Sequence, residues 1–214
     1  MSAPNTDLVR AGAKLQRLGF SPGASGNISV RDGDRVLITP TGYGMGDLDP
    51  DRLSVLDLDG TLVSGPRPSK EFPLHTAFYR RDPDAGAVVH LHSRHAAAVS
   101  CRPGWAERSA IPPLTPYFVM RVGQTPLIPY AAPGDPGQAA ALEALPFSFR
   151  AALLANHGPV VAGADLDTAV DAATELEEVC ALLLLLAEGE RRLLSAPEIE
   201  ELTTRYGSFW DIDT

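Results

Sequence analysis

The sequence predicts a mixed α/β fold whose first third is built on an antiparallel sheet. Three observations predict it. Apolar residues recur at helical spacing over residues 8–18, so the chain begins with a helix. Hairpin signals follow at Gly33-Asp34 and at Asp59-Gly60, each between two short apolar segments. A nearly continuous apolar segment then indicates a long buried helix over residues 165–190, which also fits a subunit interface.

The elements before residue 85 can be placed in order. Strands are predicted on the two sides of each hairpin turn, over residues 27–31, 35–39, 53–58 and 61–63. The segment Pro66-Arg67-Pro68 ends this pattern, and a helix is expected to follow with Ser69 as its N-cap. Glu71 is expected in the first turn of that helix, where the helix dipole favours a carboxylate and where Pro73 is tolerated.

The second half of the chain alternates short strands and helices. A strand is predicted over residues 88–92, and Ser93 is expected to cap a helix that reaches Cys101. Residues 102–138 are rich in proline and indicate an ordered excursion with short strands at 118–120 and 127–128. The prediction is completed by strands at 150–155 and 160–163, the long helix capped by Asp165 or Asp167, and a last helix at 197–205.

The composition excludes several classes of protein. The 214 residues, 44% of them hydrophobic, suffice for one core, so residues 1–214 are expected to form one domain. The formal net charge of −9 argues against a sequence-independent nucleic-acid binder. The N-terminus lacks the features of a secretion signal, and no apolar run is long enough to span a bilayer. Cys101 and Cys180 are expected to be free thiols, so a soluble cytoplasmic protein is predicted.

The motif His90-Leu91-His92 carries the first sign of chemistry. It continues an apolar run with strand character. Alternate residues of a strand point to the same face, so His90 and His92 would project side by side while Leu91 enters the core. Two such imidazoles form half of a metal site, although the bare pattern also fits two polar residues that face solvent.

Further side chains extend the metal hypothesis. His157 is predicted at a strand end beside a glycine turn, and Glu71 opens the helix just upstream of the histidine pair. Imidazoles and a carboxylate suit zinc or another divalent first-row metal. His75 is interpreted as a surface or core histidine of the helix that carries Glu71. His95 is interpreted as an ordinary residue of the next helix rather than a group beside the site.

Several motifs spread over nearly the whole chain carry a family resemblance. They are Ala24-Ser25-Gly26-Asn27-Ile28-Ser29, Ile38-Thr39-Pro40-Thr41-Gly42, Pro68-Ser69-Lys70-Glu71, Val88-Val89-His90-Leu91-His92-Ser93 and Asn156-His157-Gly158. With these motifs in this order, the chain resembles the class II aldolase/adducin family. The resemblance implies a three-layer fold with a central antiparallel β-sheet flanked by helices. It also implies a homotetramer with active sites at the subunit interfaces.

The resemblance also implies roles for residues of this chain. It implies a Zn²⁺ site, or one for another divalent metal such as Mn²⁺ or Co²⁺, with His90, His92 and His157 as ligands. Glu71 matches the catalytic carboxylate of the family, which also contacts the metal in the empty site. Tyr117 matches a catalytic tyrosine that the aldolases contribute from a neighbouring subunit. The positions that match the substrate-phosphate site of the family are Asn27, Thr41, Gly42, Ser69 and Lys70.

Within the family, the motifs are most similar to those of the 3-oxo-tetronate 4-phosphate decarboxylases. The aldolases usually have Ser-Ser-Glu where this chain has Ser69-Lys70-Glu71. The implied substrate is a small phosphorylated sugar acid that loses CO2 and leaves the enediolate of dihydroxyacetone phosphate, which a metal stabilises. The alternatives are an L-fuculose-1-phosphate-type aldolase or a methylthioribulose-phosphate-type dehydratase on the same site, a metal-free Schiff-base enzyme that uses Lys70, and a non-catalytic interaction module.

Overall fold

The strands of the chain form one continuous sheet. A computed structural model describes residues 4–187, 189 and 191–211. The strands are β1 (Asn27–Asp32), β2 (Arg35–Ile38), β3 (Ser54–Asp57), β4 (Leu62–Ser64), β5 (Ala87–His90), β6 (Leu127–Ile128), β7 (Ala151–Leu154) and β8 (Gly158–Gly163). Their order in the sheet is β4-β3-β2-β1-β5-β8-β7-β6. Every neighbouring pair is antiparallel except β6–β7 at the edge, so the predicted antiparallel sheet is confirmed with one parallel pair added.

Helices cover both faces of the sheet. They are α1 (Pro4–Arg17), α2 (Phe72–Arg81), α3 (Arg94–Ser100), α4 (Pro116–Arg121), α5 (Pro136–Glu143), α6 (Leu166–Leu185) and α7 (Ala196–Tyr206). Val88 packs in the hydrophobic cluster that contains α2 and α5, whereas Val89 packs in the cluster that contains α1, α3, α4 and α6. Neighbouring strand residues point to opposite faces, so this alternation shows that β5 is buried on both sides. The predicted layered arrangement is confirmed.

The start of α2 differs from the prediction. The N-cap position is held by Glu71 and not by Ser69, and Pro73 is the second residue of the helix. The amide of the fourth helical residue would donate to the carbonyl of the N-cap, and proline has no such amide. With Ser69 as the cap, Pro73 would occupy that fourth position. With Glu71 as the cap, Pro73 is the second helical residue, whose backbone amide has no acceptor within the helix. Glu71 therefore lies at the N-cap position of α2, immediately before its first turn.

The proline-rich excursion contains helices that the sequence interpretation missed. Residues 118–120 were expected in a strand, but they lie in α4, where the Thr115 side chain accepts from the amide of Phe118 and Pro116 follows as the first helical residue. Helix α5 was not predicted, and it begins in the same way at Asp135 and Pro136. In both cases a short polar cap followed by proline fixes the first turn.

The long helix α6 is shorter than predicted and less buried. Its N-cap is Asp165, as expected, and it ends at Leu185. The predicted end near Glu190 lies outside the described residues. Burial all round the helix is wrong for the single chain, because leucines near its C-terminal end are exposed, Leu185 to 81%. No helix in the described part of the chain is both long and apolar enough to cross a membrane.

Candidate metal centre and substrate pocket

His90 occupies the end of the central strand β5. It lies opposite Asn27 of β1 on one side and Val160 of β8 on the other, and its side chain is fully buried. His90 Nδ1 donates to the carbonyl oxygen of Pro159 at 2.9 Å. A carbonyl oxygen only accepts, so the proton of this ring sits on Nδ1 and the lone pair of Nε2 is free. Burial lowers the pKa of His90 to about 4, which keeps the ring neutral.

His92 lies beyond the end of the strand, which corrects the prediction that both histidines are strand residues. Strand β5 ends at His90 because β1 begins opposite it. Leu91 still enters the core, fully buried, and its amide donates to Pro159 O at 3.0 Å. The two imidazoles converge as expected, with 3.2 Å between their Nε2 atoms.

A tight turn between β7 and β8 brings His157 to the pair. Asn156 has a φ of 58°, in the left-handed region. The backbone of this turn is held by Ser100, whose carbonyl accepts from Asn156 N and whose hydroxyl accepts from His157 N. A Cβ at Gly158 would lie 2.3 Å from the carbonyl oxygen of Leu91, so only glycine allows this approach. His157 Nε2 lies 3.0 Å from His92 Nε2.

Glu71, the N-cap residue of α2, is the fourth side chain that meets these three histidines. Its oxygens lie 3.4 Å from His90 Nε2 and 3.3 Å from His157 Nε2. Asn27 Nδ2 donates to Glu71 Oε2 at 2.9 Å. Burial raises the pKa of Glu71. The electrostatic effect of His90 and His157 and the hydrogen bond from Asn27 together lower it by more, so the net shift is downward. The carboxylate is therefore ionised at neutral pH.

The donor atoms fit a divalent cation. One atom each from Glu71, His90, His92 and His157 lies within 4.8 Å of the others. Two ligands held at 2.0–2.1 Å from a tetrahedral ion are about 3.3 Å apart, close to the spacings above. Burial lowers the pKa of His92 and His157 as well, so the imidazoles can offer lone pairs. Among the described residues, the buried atom Glu71 Oε1 has no hydrogen-bond partner, as expected for a group that faces a ligand.

A cavity of about 340 Å³ borders this cluster through Glu71 and His92. Its lining contains all the residues predicted for phosphate binding, which are Asn27, Thr41, Gly42, Ser69 and Lys70. Thr41, Gly42 and Lys70 are exposed, whereas Ser69 and Asn27 are buried. The positive charge of Lys70 is felt at both His92 and His157, where it lowers the pKa beyond the effect of burial. Lys70 therefore lines the cavity within electrostatic range of two of the candidate ligands.

Tyr117 lies apart from this cavity in the single chain. It is on α4, 56% exposed, with the Arg121 guanidinium 5.2 Å from the centre of its ring. It is not among the residues that line the cavity. A role for Tyr117 therefore needs a second subunit, as the sequence resemblance implied.

The two remaining histidines have clear structural surroundings. His75 is a core residue, fully buried, and contacts Ser29 and Asn27. His95 lies in the first turn of α3 and pairs with Glu177 of α6 through Nδ1, at 2.8 Å. Sequence reasoning missed Glu177, which is buried and also accepts from the amides of His95 and Ala96. No local signal could have found it, because 82 residues separate Glu177 from His95.

Comparison with known proteins finds relatives over most of the chain. Residues 6–184 match the Class II Aldolase and Adducin N-terminal domain. The 3-oxo-tetronate 4-phosphate decarboxylase of Pectobacterium atrosepticum is 44% identical over 198 residues, which cover 92% of this chain and 91% of that protein. The solved structure of YgbL from Escherichia coli matches with a TM-score of 0.88 at 43% identity, covering 92% of this chain and 96% of that one.

Aldolases of the same family are more distant. The L-fuculose phosphate aldolase of Haemophilus influenzae is 32% identical over 201 residues, which cover 92% of this chain and 90% of that protein. Overall identity is therefore higher to the decarboxylase than to this aldolase.

Proposed function

The chain belongs to the class II aldolase and adducin N-terminal domain family, and from this premise we propose that it is a carbon–carbon lyase. Its reaction is the decarboxylation of a 3-oxo-tetronate 4-phosphate to dihydroxyacetone phosphate and CO2. The observation that carries the proposal is the convergence of three neutral imidazoles and Glu71 beside a cavity that Lys70 also lines. The greater identity to the decarboxylase than to the aldolase selects this reaction within the family.

A cation would be held by His90, His92 and His157, with Glu71 as a further ligand while the site is free of substrate. Zn²⁺ is the proposed ion, and Mn²⁺ and Co²⁺ are alternatives that the same nitrogen and oxygen donors accept. When bound, the ion supplies a Lewis acid for the ketone oxygen of the substrate and for the negative charge that develops there. The hydrogen bond from His90 Nδ1 to Pro159 O leaves the Nε2 lone pair of this ring facing His92, where it would be available to a cation.

Glu71 handles the proton. In the substrate, the bond between the carboxylate carbon and C2 breaks, CO2 leaves, and the electron pair stays on the enediolate of C2 and C3. The ionised Glu71 accepts the proton of the 2-hydroxyl and returns it to C2, and one further proton taken up from solvent restores the hydroxyl, which yields dihydroxyacetone phosphate. Its buried position keeps water from competing for that proton.

The anionic ends of the substrate are bound by the cavity wall. Thr41, Gly42 and Ser69 hold the phosphate, and Asn27 lies beside them while it donates to Glu71. Lys70 contacts the phosphate or the carboxylate, the two anionic groups of the substrate. Lys70→Met is expected to raise KM or lower kcat. Unchanged values of both would contradict a role for Lys70 in binding substrate. If borohydride traps substrate on the chain, the Schiff-base alternative replaces this role.

We further propose a homotetramer with active sites at the subunit interfaces. The exposed ring of Tyr117 would then reach the cavity of a neighbour and contribute to catalysis there. The exposed leucines at the end of α6 would be covered in the same assembly. Light scattering measures the oligomeric state directly, and a monomer at micromolar concentration would exclude the role of Tyr117.

The test of the reaction is the release of CO2 and the formation of dihydroxyacetone phosphate from 3-oxo-tetronate 4-phosphates, before and after metal is removed with a chelator. Metal-dependent formation of both products is expected. Formation of dihydroxyacetone phosphate from a ketose 1-phosphate without CO2 would establish the aldolase instead. Activity that survives complete metal removal would contradict the metal-centred mechanism.

A further inference from the structure

A continuous line of hydrogen bonds runs from Glu71 into the interior between β1 and α2. Asn27 Nδ2 donates to Glu71 Oε2, and the other end of that amide, Oδ1, meets His75 Nε2. His75 Nδ1 lies 2.7 Å from Ser29 Oγ, and Ser29 Oγ lies 2.7 Å from Tyr79 OH. The most exposed of these five side chains, Glu71, has only 5% of its surface accessible. The line therefore leads from the candidate metal centre into the core, and only its first two members, Glu71 and Asn27, line the cavity.

The carboxylate fixes the direction of the first two hydrogen bonds. An ionised carboxylate only accepts, so Asn27 must turn its NH2 group toward Glu71. The oxygen of the same amide then faces His75, and an amide oxygen also only accepts. His75 Nε2 must therefore carry a proton and donate it to Asn27.

The buried imidazole fixes the direction of the remaining hydrogen bonds. Burial lowers the pKa of His75 to about 3, so the ring is neutral and carries a single proton, the one on Nε2. Nδ1 is then an acceptor, and the Ser29 hydroxyl donates to it. The lone pairs of Ser29 in turn accept from the Tyr79 hydroxyl. Every donor in the line points toward the carboxylate, with Tyr79 as its first member.

We propose that His75 is a positioning residue for Glu71. Its Nε2 proton locks the Asn27 amide in the one orientation that presents NH2 to Glu71, and this hydrogen bond aims the carboxylate at His90 and His157. Ser29 and Tyr79 hold His75 in the required tautomer. The inference rests on the proposed role of Glu71 as metal ligand and proton carrier, and it adds residues that never touch substrate.

The consequence of losing His75 follows from the two hydrogen bonds that hold the Asn27 amide, one at each end. Without the Nε2 donor, Glu71 alone still favours one orientation of the Asn27 amide, and the other end of the amide is no longer held. The amide oxygen would be left buried without a partner, which costs free energy unless the side chain moves. Either movement or rotation of Asn27 withdraws the donor from Glu71 and leaves the carboxylate free to rotate.

Two substitutions at one position separate this role from simple packing. A glutamine side chain places an NH2 group where imidazole has Nε2, so His75→Gln can still donate to Asn27, whereas His75→Leu cannot. Ser54→Ala is the matched control, because Ser54 is fully buried on the same sheet but donates to Pro66 O, away from Glu71. Each variant is titrated with Co²⁺ alone, and kcat and KM are then measured separately.

His75→Leu is expected to weaken Co²⁺ binding by about 10- to 100-fold, the usual effect of removing a group that orients a metal ligand. We expect kcat to fall with it while KM changes less, because Thr41, Gly42, Ser69 and Lys70 of the cavity wall are untouched. His75→Gln should recover most of both losses. If His75→Leu binds Co²⁺ as tightly as Ser54→Ala does, or if a folded His75→Gln is no better than His75→Leu, the proposal is wrong.

A spectroscopic measurement keeps the proposal testable if His75→Leu does not fold. Nitrogen-15 shifts of the histidines in the metal-free chain identify the protonated nitrogen of each ring. We expect His75 to carry its proton on Nε2 at neutral pH. The Tyr79→Phe substitution should leave the proton on Nε2, but the signal of that proton should broaden because it exchanges faster. A proton on Nδ1 of His75 would overturn the direction of the line. The spectra and the Co²⁺ titrations need no substrate, so a failed decarboxylase assay would count against the proposed reaction alone.

Discussion

Glu71 and Glu177 are both buried, yet their carboxylates have opposite surroundings. Glu177 accepts from the backbone amides of His95 and Ala96 and from the His95 ring, so both of its oxygens are paired. Glu71 has one donor, Asn27, and in the described part of the chain its second oxygen faces imidazole nitrogens without a hydrogen bond. Glu177 joins the start of α3 to the middle of α6, whereas the Glu71 carboxylate is held by one hydrogen bond, from Asn27.

The difference separates a carboxylate with structural partners, Glu177, from the one that we propose to function in the site, Glu71. A buried charge is normally retained because it is fully paired, as at Glu177. A buried carboxylate that is left partly unpaired and surrounded by imidazoles is costly unless a cation completes its environment. Burial alone would have ranked the two residues together, and only their hydrogen-bond partners distinguish them.

The largest expected effect is on catalysis at Glu71. Glu71→Gln keeps the shape of the side chain but removes the charge and the proton acceptor, so kcat is expected to fall by about 10²–10⁴-fold. The unfolding free energy of the metal-free protein should change little, because the carboxylate contributes few interactions in the absence of a cation. Steady-state kinetics and urea denaturation in chelator measure the two effects. Wild-type kcat in this variant would contradict the assignment.

Glu177→Gln is expected to show the reverse pattern. The glutamine NH2 group would face a backbone amide that also donates, and the charge that α3 receives at its first turn would be lost. We expect the unfolding free energy to fall by about 1–3 kcal/mol, the range for losing hydrogen bonds to a buried charged group. Equal destabilisation of Glu71→Gln and Glu177→Gln in urea would erase the contrast between the two sites.

The contrast extends to pH through His75, the buried histidine behind Glu71. Its pKa is about 3 in the folded protein, below the ordinary value of 6.5. As the pH falls below 6.5, the unfolded chain binds a proton that folded His75 does not, so stability is lost by about 1.4 kcal/mol per pH unit. His75→Gln removes this contribution. Urea denaturation of metal-free protein at pH 7, 6 and 5 should therefore give a shallower loss in the variant, and parallel curves would show that His75 is protonated when folded.

The smallest effect is expected at His95, the histidine beside Glu177. Its side chain is 43% exposed, and the Glu177 oxygens keep their two backbone donors when the ring is removed. His95→Ala should therefore lower the unfolding free energy by less than about 1 kcal/mol, after screening by solvent. A loss as large as that of Glu177→Gln would show that the ring, not the backbone, holds the carboxylate.

Local patterns predicted the elements that converge on the candidate metal centre. The pairing of Gly33-Asp34 and Asp59-Gly60 with short apolar runs gave the first hairpins, and the apolar run before His90 gave the central strand. Helices α4 and α5 were missed although their caps were visible in the sequence, because the abundance of proline favoured a strand-containing excursion. Proline favours a helix when it is the first helical residue after a polar N-cap, although it disrupts a helix at interior positions.

Contacts between distant parts of the chain could not be predicted from local patterns. The register that sets Asn27 opposite His90 decides that Asn27 meets Glu71, and no neighbouring residue encodes it. The same holds for Glu177, whose partners lie on another helix. His75 was correctly allowed to be a core residue, but its part in orienting Asn27 depends on the tertiary arrangement of β1 against α2.

The order of the strands has a consequence for synthesis on the ribosome. Strand β5 lies between β1, which is made before it, and β8, which is made about 70 residues later. The histidine pair at the end of β5 therefore waits, with one side of its strand unpaired, until β7 and the turn that carries His157 have emerged. A growing chain can gather Glu71, His90 and His92 early, but it gains the last imidazole only after β7 and the turn that follows it have been made. Any cation that all four side chains bind together would thus be captured after most of the hydrophobic sheet has been made.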